Sequence, residues 1–241
     1  MSEPGKPAFR GFGLGLMRRL RRTPVDEAEL VIRECRALIR GGVFYDIGAN
    51  VGSVSEAMVG HASRIVAVEP DADIFPHLAA RMGRRAICVQ ALVGPEGEER
   101  VFLHNQLASA SSTSVAPGDA PPHGYLTPRA MTAVSLDRIA REHGAPDLIK
   151  IDVEGFELSV LASAPEVLAR RPVVVMEFNS VCLSNFGRVN PRDAIDRILA
   201  MFPRVETITQ TGRERVSDPY TFIYHNILTH GSVDNLVASW A

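Results

Sequence analysis

The chain has 241 residues, 46% of them hydrophobic and 22% charged, with a formal net charge of -2. This is enough apolar material for a large core in one globular domain, and it excludes a disordered or fibrous polymer. The near-neutral balance excludes bulk electrostatic attraction to nucleic acid, and no apolar run approaches the roughly 18 residues that span a bilayer.

Residues 1–22 are rich in glycine and arginine, with Phe9, Phe12, Leu14, Leu16, Met17 and Leu20 interleaved with Arg10, Arg18, Arg19, Arg21 and Arg22. A basic amphipathic segment can lie on an anionic membrane surface or cover a substrate, but the early glycines favour a solvated tail. No hydrophobic signal core appears here, so a cytoplasmic location is expected. A single domain is expected over residues 23–241. Thr23 is a plausible N-cap for a helix over residues 23–40, with Asp26, Glu27 and Glu29 in its first turn and Gly41-Gly42 ending it.

Val43 to Ser53 is an apolar run that ends in Asp46 and then breaks into a turn bracketed by Gly48 and Gly52, which reads as a buried strand, a tight turn and a helix start. Both glycines can take positive φ and admit a ligand close to the main chain. Such a turn at the carboxyl end of a parallel strand is where open α/β sheets bind nucleotides. Arg64 to Glu69 is a second buried strand, unalternating as in a sheet covered on both faces. Glu69 falls where an acid can accept hydrogen bonds from both ribose hydroxyls of an adenosine group.

Asp71 or Asp73 is expected to cap a helix reaching about Met82. Ala86 to Val93 reads as a third strand, and Glu99 to His104 as an antiparallel excursion. Residues 106–130, dense in Ser, Ala, Pro and Gly, read as a long mobile loop over the substrate. Ser135 is expected to cap the helix that Gly144 ends. Asp147 to Gly155 then forms a strand ending in Asp152 and Glu154, followed by a helix from Phe156 to about Arg170. A strand over Val173–Phe178, a helix over Pro191–Met201, a strand over Val205–Thr209 and a last strand within Tyr220–Leu228 complete an α/β alternation. Cys35, Cys88 and Cys182 are far apart without C-x-x-C spacing, so no structural zinc site is expected.

Four motifs in this order, Asp46-Ile47-Gly48-Ala49-Asn50-Val51-Gly52, Val68-Glu69-Pro70, Ser135-Leu136-Asp137 and Ile149 to Glu157, resemble the FkbM family of S-adenosylmethionine-dependent methyltransferases. The resemblance spans about Gly42 to Thr229. It implies the class I methyltransferase fold, a Rossmann-like three-layer α/β sandwich with a mostly parallel seven-stranded sheet and an antiparallel last strand. It also implies methyl transfer, most often to a hydroxyl of a sugar or natural product. S-adenosylmethionine is a sulfonium that also carries an ammonium, a carboxylate, a ribose and an adenine. Asp46 can favour its positive end, Gly48, Asn50 and Gly52 form the turn that admits the methionine moiety, and Glu69, followed by Pro70, can hold the ribose. By resemblance, Ala91 and Leu92 flank the adenine, and Asp152 faces the cofactor or the acceptor.

An alcohol acceptor must lose a proton, and the candidate bases are Asp152, Glu154 and Glu177. Glu154 can instead cap the helix at Phe156, and Glu177 can orient a neighbour. Lys150 reads as a strand residue with its ammonium reaching outward, His123 as a solvated loop residue rather than a base in a closed state, and His225 as a packed or edge residue of the last strand. Asp152, Glu154, Glu177 and Asn179 offer oxygen ligands for Mg²⁺, yet they are not a tight cluster in sequence, so no metal is expected. A nicotinamide oxidoreductase would need G-x-G-x-x-G, which is absent. A non-catalytic S-adenosylmethionine-binding module and an N-methyltransferase are the remaining alternatives. Because Asp152-Val153-Glu154-Gly155 stands where an amino-group enzyme would carry Asn-Pro-Pro-Tyr, oxygen is preferred and a small hydroxylated acceptor is the expected partner. The oligomeric state is not indicated.

Overall fold

A computed structural model of the chain describes residues 27–105, 112–118 and 126–240. Expectations for the arginine-rich segment, Thr23, Asp26 and His123 therefore lie outside the described residues. Helix α1 (Glu27–Ile39) precedes β1 (Val43–Ile47), α2 (Ser53–Ala57), β2 (Arg64–Val68), α3 (Phe75–Met82) and β3 (Ile87–Val89). Next come β4 (Glu99–Asn105), β5 (Thr113–Val115), β6 (Leu126–Thr132), α4 (Leu136–His143), β7 (Leu148–Ile151), α5 (Glu157–Ala162), α6 (Pro165–Leu168) and β8 (Val173–Asn179). Helices α7 (Ser180–Asn185) and α8 (Pro191–Met201), strands β9 (Arg204–Thr209) and β10 (Gly212–Arg215), helix α9 (Pro219–Leu228) and strand β11 (Val233–Ser239) end the order.

The main sheet runs β10-β9-β11-β8-β7-β1-β2-β3. It has eight strands where seven were expected, because β10 adds an antiparallel edge to β9. The antiparallel last strand is present as β11, between β8 and β9. Alternation along β1 sends Phe44 to one face and Tyr45 and Ile47 to the other. Phe44 packs with Val31, Cys35 and Ile39 of α1, whereas Tyr45 and Ile47 join the core that includes Leu136 and Ile139 of α4, Val160 of α5 and Ile198 of α8. Among the described residues no helix is long and apolar enough to cross a membrane.

Several boundaries differ from expectation for local reasons. Ser135 caps α4 by accepting from Arg138 N at 3.2 Å, and Gly144 ends it, as read. The helix expected from Phe156 to Arg170 is split in two by Pro165, which starts α6. The last strand expected within Tyr220–Leu228 is helix α9, started by Asp218, whose carboxylate accepts from Tyr220 N and Thr221 N, with Pro219 at the first position. His225 therefore lies on a helix. Only Ile87–Val89 of the expected third strand pairs with β2. The long loop read over residues 106–130 contains β5 and the start of β6, and both pair antiparallel with β4 in a separate three-stranded sheet.

The turn after β1 passes so close to the end of β7 that a Cβ on Gly48 would lie 1.8 Å from the Asp152 carbonyl oxygen. Gly48 also has φ 78°. Gly41 has a similar φ of 79° with open space around its α-carbon. Gly48→Ala is expected to destabilise the fold by about 3 kcal/mol or more, and Gly41→Ala by only about 1 kcal/mol. Urea denaturation of both variants measures the difference, and equal midpoints would contradict the close approach.

Candidate active site

The carboxyl ends of β1, β2 and β7 and the turns that follow them surround a cleft of about 670 Å³. Gly48, Asn50, Glu69, Pro70, Ala91, Leu92, Asp152 and Glu154 all line it, although they come from four separate stretches of the chain. Asp46, Gly52 and Glu177 do not.

The turn between β1 and α2 is closed by its own amides. Gly48 N and Ala49 N donate to Val68 O at 3.0 and 2.9 Å. Asn50, with φ 49°, donates its N–H to Glu69 Oε2 at 2.8 Å, and Asp71 N donates to Glu69 Oε1 at 2.9 Å. Each carboxylate oxygen of Glu69 retains acceptor capacity toward the cleft. Burial pushes this carboxyl up to about 7, against the two amide bonds. Gly52 serves a different contact from the expected one: a Cβ there would meet Leu78 Cδ1 of α3 at 2.7 Å.

Asp46 is fully buried and points to the opposite face of β1 from Ile47, toward α2. Its Oδ2 accepts from Ser55 Oγ at 2.6 Å and its Oδ1 faces Lys150 Nζ at 3.2 Å. Lys150 departs from the outward reach expected of it. It is 6% exposed, donates to Gly48 O at 3.0 Å, and lies 3.3 Å from Asp152 Oδ2. Burial disfavours its charge, but Asp152 and then Asp46 outweigh that and raise its pKa above that of an ordinary lysine.

Beyond β7 the backbone kinks through Glu154 at φ 53° and Gly155 at φ 100°. Thr113 Oγ1 of β5 donates to Glu154 O at 2.7 Å, and Cys182 Sγ of α7 donates to Glu154 Oε2 at 3.0 Å. Glu154 thus does not cap the helix at Phe156. Glu157 does so from within the first turn, its Oε1 accepting from Val153 N and Gly155 N at 3.3 and 3.1 Å. Burial raises Glu154 and Glu157 to about 7 each.

Glu177 lines an adjoining cavity of about 560 Å³ together with Glu27, Val54, Lys150, Asp152 and Asn235. Burial, followed by the charges of Asp152 and Glu154, raises its carboxyl to about 9. Its Oε2 is buried without a hydrogen-bond partner among the described residues. Carboxylate oxygens of Asp152, Glu154 and Glu177 lie within 4.8 Å of one another, so the tight acid cluster that sequence spacing did not show is formed in space. Asn179 caps α7, its side-chain oxygen accepting from Val181 N and Cys182 N.

The wall opposite the turn is the three-stranded sheet, through Phe102, Ser112, Thr113 and Ser114, with Phe156 beside them. Sequence reading missed these residues, since pairing of β4 with β5 and β6 is non-local. Arg129 of β6 and His104 of β4 both pair with buried Asp71, which follows Pro70, and so fasten this sheet beside the cleft.

The model of the methyltransferase FkbM domain matches residues 46–207. The chain belongs to that family. Comparison with solved structures finds a precorrin-6y C5,15-methyltransferase from Geobacter metallireducens, 14% identical over 92% of each chain, TM-score 0.47. It also finds an O-methyltransferase from Bacillus cereus in complex with SAH, 12% identical over 92% of this chain and 86% of that one, TM-score 0.46. A comparison with curated proteins finds no sequence match. The methyl donor of this FkbM-family chain is S-adenosylmethionine. The cleft fits it: an acid with free acceptor capacity at Glu69, a turn without side-chain bulk at Gly48, and apolar walls at Ala91, Leu92, Val93 and Phe102.

Two expectations follow from the titrations. Ionised Glu69 is the form that accepts ribose hydroxyls, so affinity for S-adenosylhomocysteine should fall as pH drops through about 7. Calorimetric titration of Glu69→Gln should show a flat profile across that range, and Glu69→Ala should bind about tenfold more weakly or worse. Comparable affinity in Glu69→Ala and the wild type would contradict the ribose role. Separately, the folded chain holds protons on Glu69, Glu154 and Glu157 to about 7 and on Glu177 to about 9, against 4.5 when unfolded. The folded state binds more protons throughout that window, so stability should decline as pH rises from about 4.5 to about 9. Thermal denaturation across the range tests this. Glu177→Gln should remove the upper part of the decline, and a melting temperature that rises with pH would refute the assignment.

Proposed function

We propose that this methyltransferase alkylates a hydroxyl of a small molecule, a sugar or a hydroxylated natural product. The observation that carries the reading is Glu154, a cleft-lining carboxyl raised by burial to about 7 beside Asp152 and the glycine turn. When bound, S-adenosylmethionine supplies an electrophilic methyl group on a sulfonium. An alcohol is a poor nucleophile until it begins to lose its proton, whereas a neutral amine needs no such help. A base poised near neutral pH is the group that an alcohol requires.

The three candidate acids divide by environment. Glu177, raised to about 9, stays protonated at neutral pH and faces the adjoining cavity. Asp152 is paired with Lys150. Glu154 is the member that lines the cleft and changes protonation near neutrality, so it would take the proton that the acceptor hydroxyl loses as its oxygen is alkylated. Thr113 fixes the backbone that carries it, and Ser112 and Ser114 offer hydroxyls to a polar acceptor. Alignment of acceptor and donor in the cleft supplies the rest of the acceleration.

The test is incubation with S-adenosylmethionine and parallel panels of hydroxylated sugars, polyketides and amines, with product gain of a methylene read by mass spectrometry. An oxygen-methylated product is expected. Glu154→Gln should lower kcat by about 10²–10⁴-fold while binding S-adenosylhomocysteine within about twofold of the wild type. Methylation confined to amines would overturn the oxygen assignment, and an unimpaired Glu154→Gln would remove it as base.

A further inference from the structure

We propose that Lys150 is a positioning residue, an ammonium tripod that ties the glycine turn to Asp152 and holds that carboxylate at the cleft. The inference rests on S-adenosylmethionine occupying the cleft beside Gly48, but on no particular acceptor.

The sheet register creates the arrangement. Asp46 of β1 and Lys150 of β7 are direct partners in adjacent parallel strands, so both side chains leave the same face. From there Lys150 Nζ reaches three oxygens from three places: Asp46 Oδ1 at 3.2 Å, Gly48 O at 3.0 Å and Asp152 Oδ2 at 3.3 Å. The ammonium donates a hydrogen bond to Gly48 O and is held by Asp46 and Asp152 in ion pairs, so all three of its contacts bind it as a cation to the glycine turn and the two acids. This geometry excludes Lys150 as the base. It also makes one group answerable both for the turn that receives the donor and for the acid at the reaction end.

Composition supplies an independent sign. The chain contains 24 arginines but only two lysines, Lys6 and Lys150. Elsewhere a cation is almost always a guanidinium, whose flat fork suits carboxylates presented side by side. Three acceptors converging on a buried point need a compact tetrahedral donor. Burying an ammonium is costly unless it is paired, and the surrounding oxygens offset that penalty.

Charges facing Lys150 come from every element around it: Asp46 of β1, Asp152 beyond β7, Glu177 of β8, and Glu27 of α1 in the cavity wall. Glu69 and Glu154 feel its field at longer range, as does the thiol of Cys35. Among the described residues Lys150 is the cation that pairs with Asp152. Without it, that half-exposed carboxylate would face only other acids.

The experiment uses the full chain labelled with ¹³Cε,¹⁵Nζ-lysine, which gives two lysine signals, assigned by loss of one in Lys150→Arg. The Lys150 signal is expected to remain that of an ammonium beyond pH 10.5, the ordinary lysine value, and to move when S-adenosylhomocysteine is added. Asp46→Asn and Asp152→Asn should each bring its titration to lower pH. Affinity for S-adenosylhomocysteine is then measured for Lys150→Met, Asp152→Asn and the double variant. Lys150→Met should bind about tenfold more weakly, and adding Asp152→Asn should cost little more, because the two act as one unit. A purely structural lysine would lower the melting temperature but leave the two losses additive, which would overturn the proposal. If Lys150→Met fails to fold, Asp46→Asn/Lys150→Met, which strands no carboxylate at position 46, replaces it in the cycle. Failure of the wild type to bind either sulfur ligand would refute the placement of the donor instead. The titration of the free protein would still judge the tripod, and a Lys150 signal that deprotonates at or below the ordinary value would refute it.

Discussion

The carboxyl edge of the main sheet gathers more carboxylate than one buried ammonium can neutralise. Lys150 compensates the two acids it touches, Asp46 and Asp152, and the rest of the group answers by retaining protons. The result is a graded set. One pair is locked to a cation, Glu154 and Glu157 change state near neutrality, and Glu177 stays protonated well above it. Burial, and after it repulsion from neighbouring carboxylates, produces this separation without any difference in residue chemistry between the three glutamates.

Strand alternation sorts these groups onto two sides of the sheet. Asp46, Lys150 and Glu177 share the face that carries α1 and α2, whereas Ile47 and Ile151 face the other way into the larger core. Asp152 stands past the last pair of β7 and lines both the cleft and the adjoining cavity. The donor's cleft and the cavity behind it therefore meet at one residue, and what fixes that residue fixes their relation.

Much of this was legible in the chain, and the limits have physical causes. The strand at Val43–Ile47, the turn at Gly48 and the acid at Glu69 are local signals with fixed spacing, and the structure assembles them beside Pro70, Ala91 and Leu92 in one cleft. Ser135 and Gly144 bracket α4 because caps act within a single turn. Helix α9 was misread as a strand because its tyrosines, phenylalanine and isoleucines favour extended structure, and the Asp218-Pro219 start signal outweighed them. The buried place of Lys150 depends on the β1-to-β7 register, which no local pattern announces. Strand β5 has only three residues, too few for an alternating pattern to show, so a serine-rich stretch that resembles a loop became the cleft's far wall.

That wall belongs to an excursion whose two ends meet. Val93 and Val134 form a bridge, Gly94 N donates to Val134 O at 3.1 Å, and Val134 N donates to Leu92 O at 2.9 Å. The excursion thus closes on itself at one point, with the whole three-stranded unit hung between. None of its strands pairs with β1, β2 or β7. In mechanical terms it is a panel pinned at one seam, with Thr113 on Glu154 O and Arg129 and His104 on Asp71 holding its inner face against the cleft.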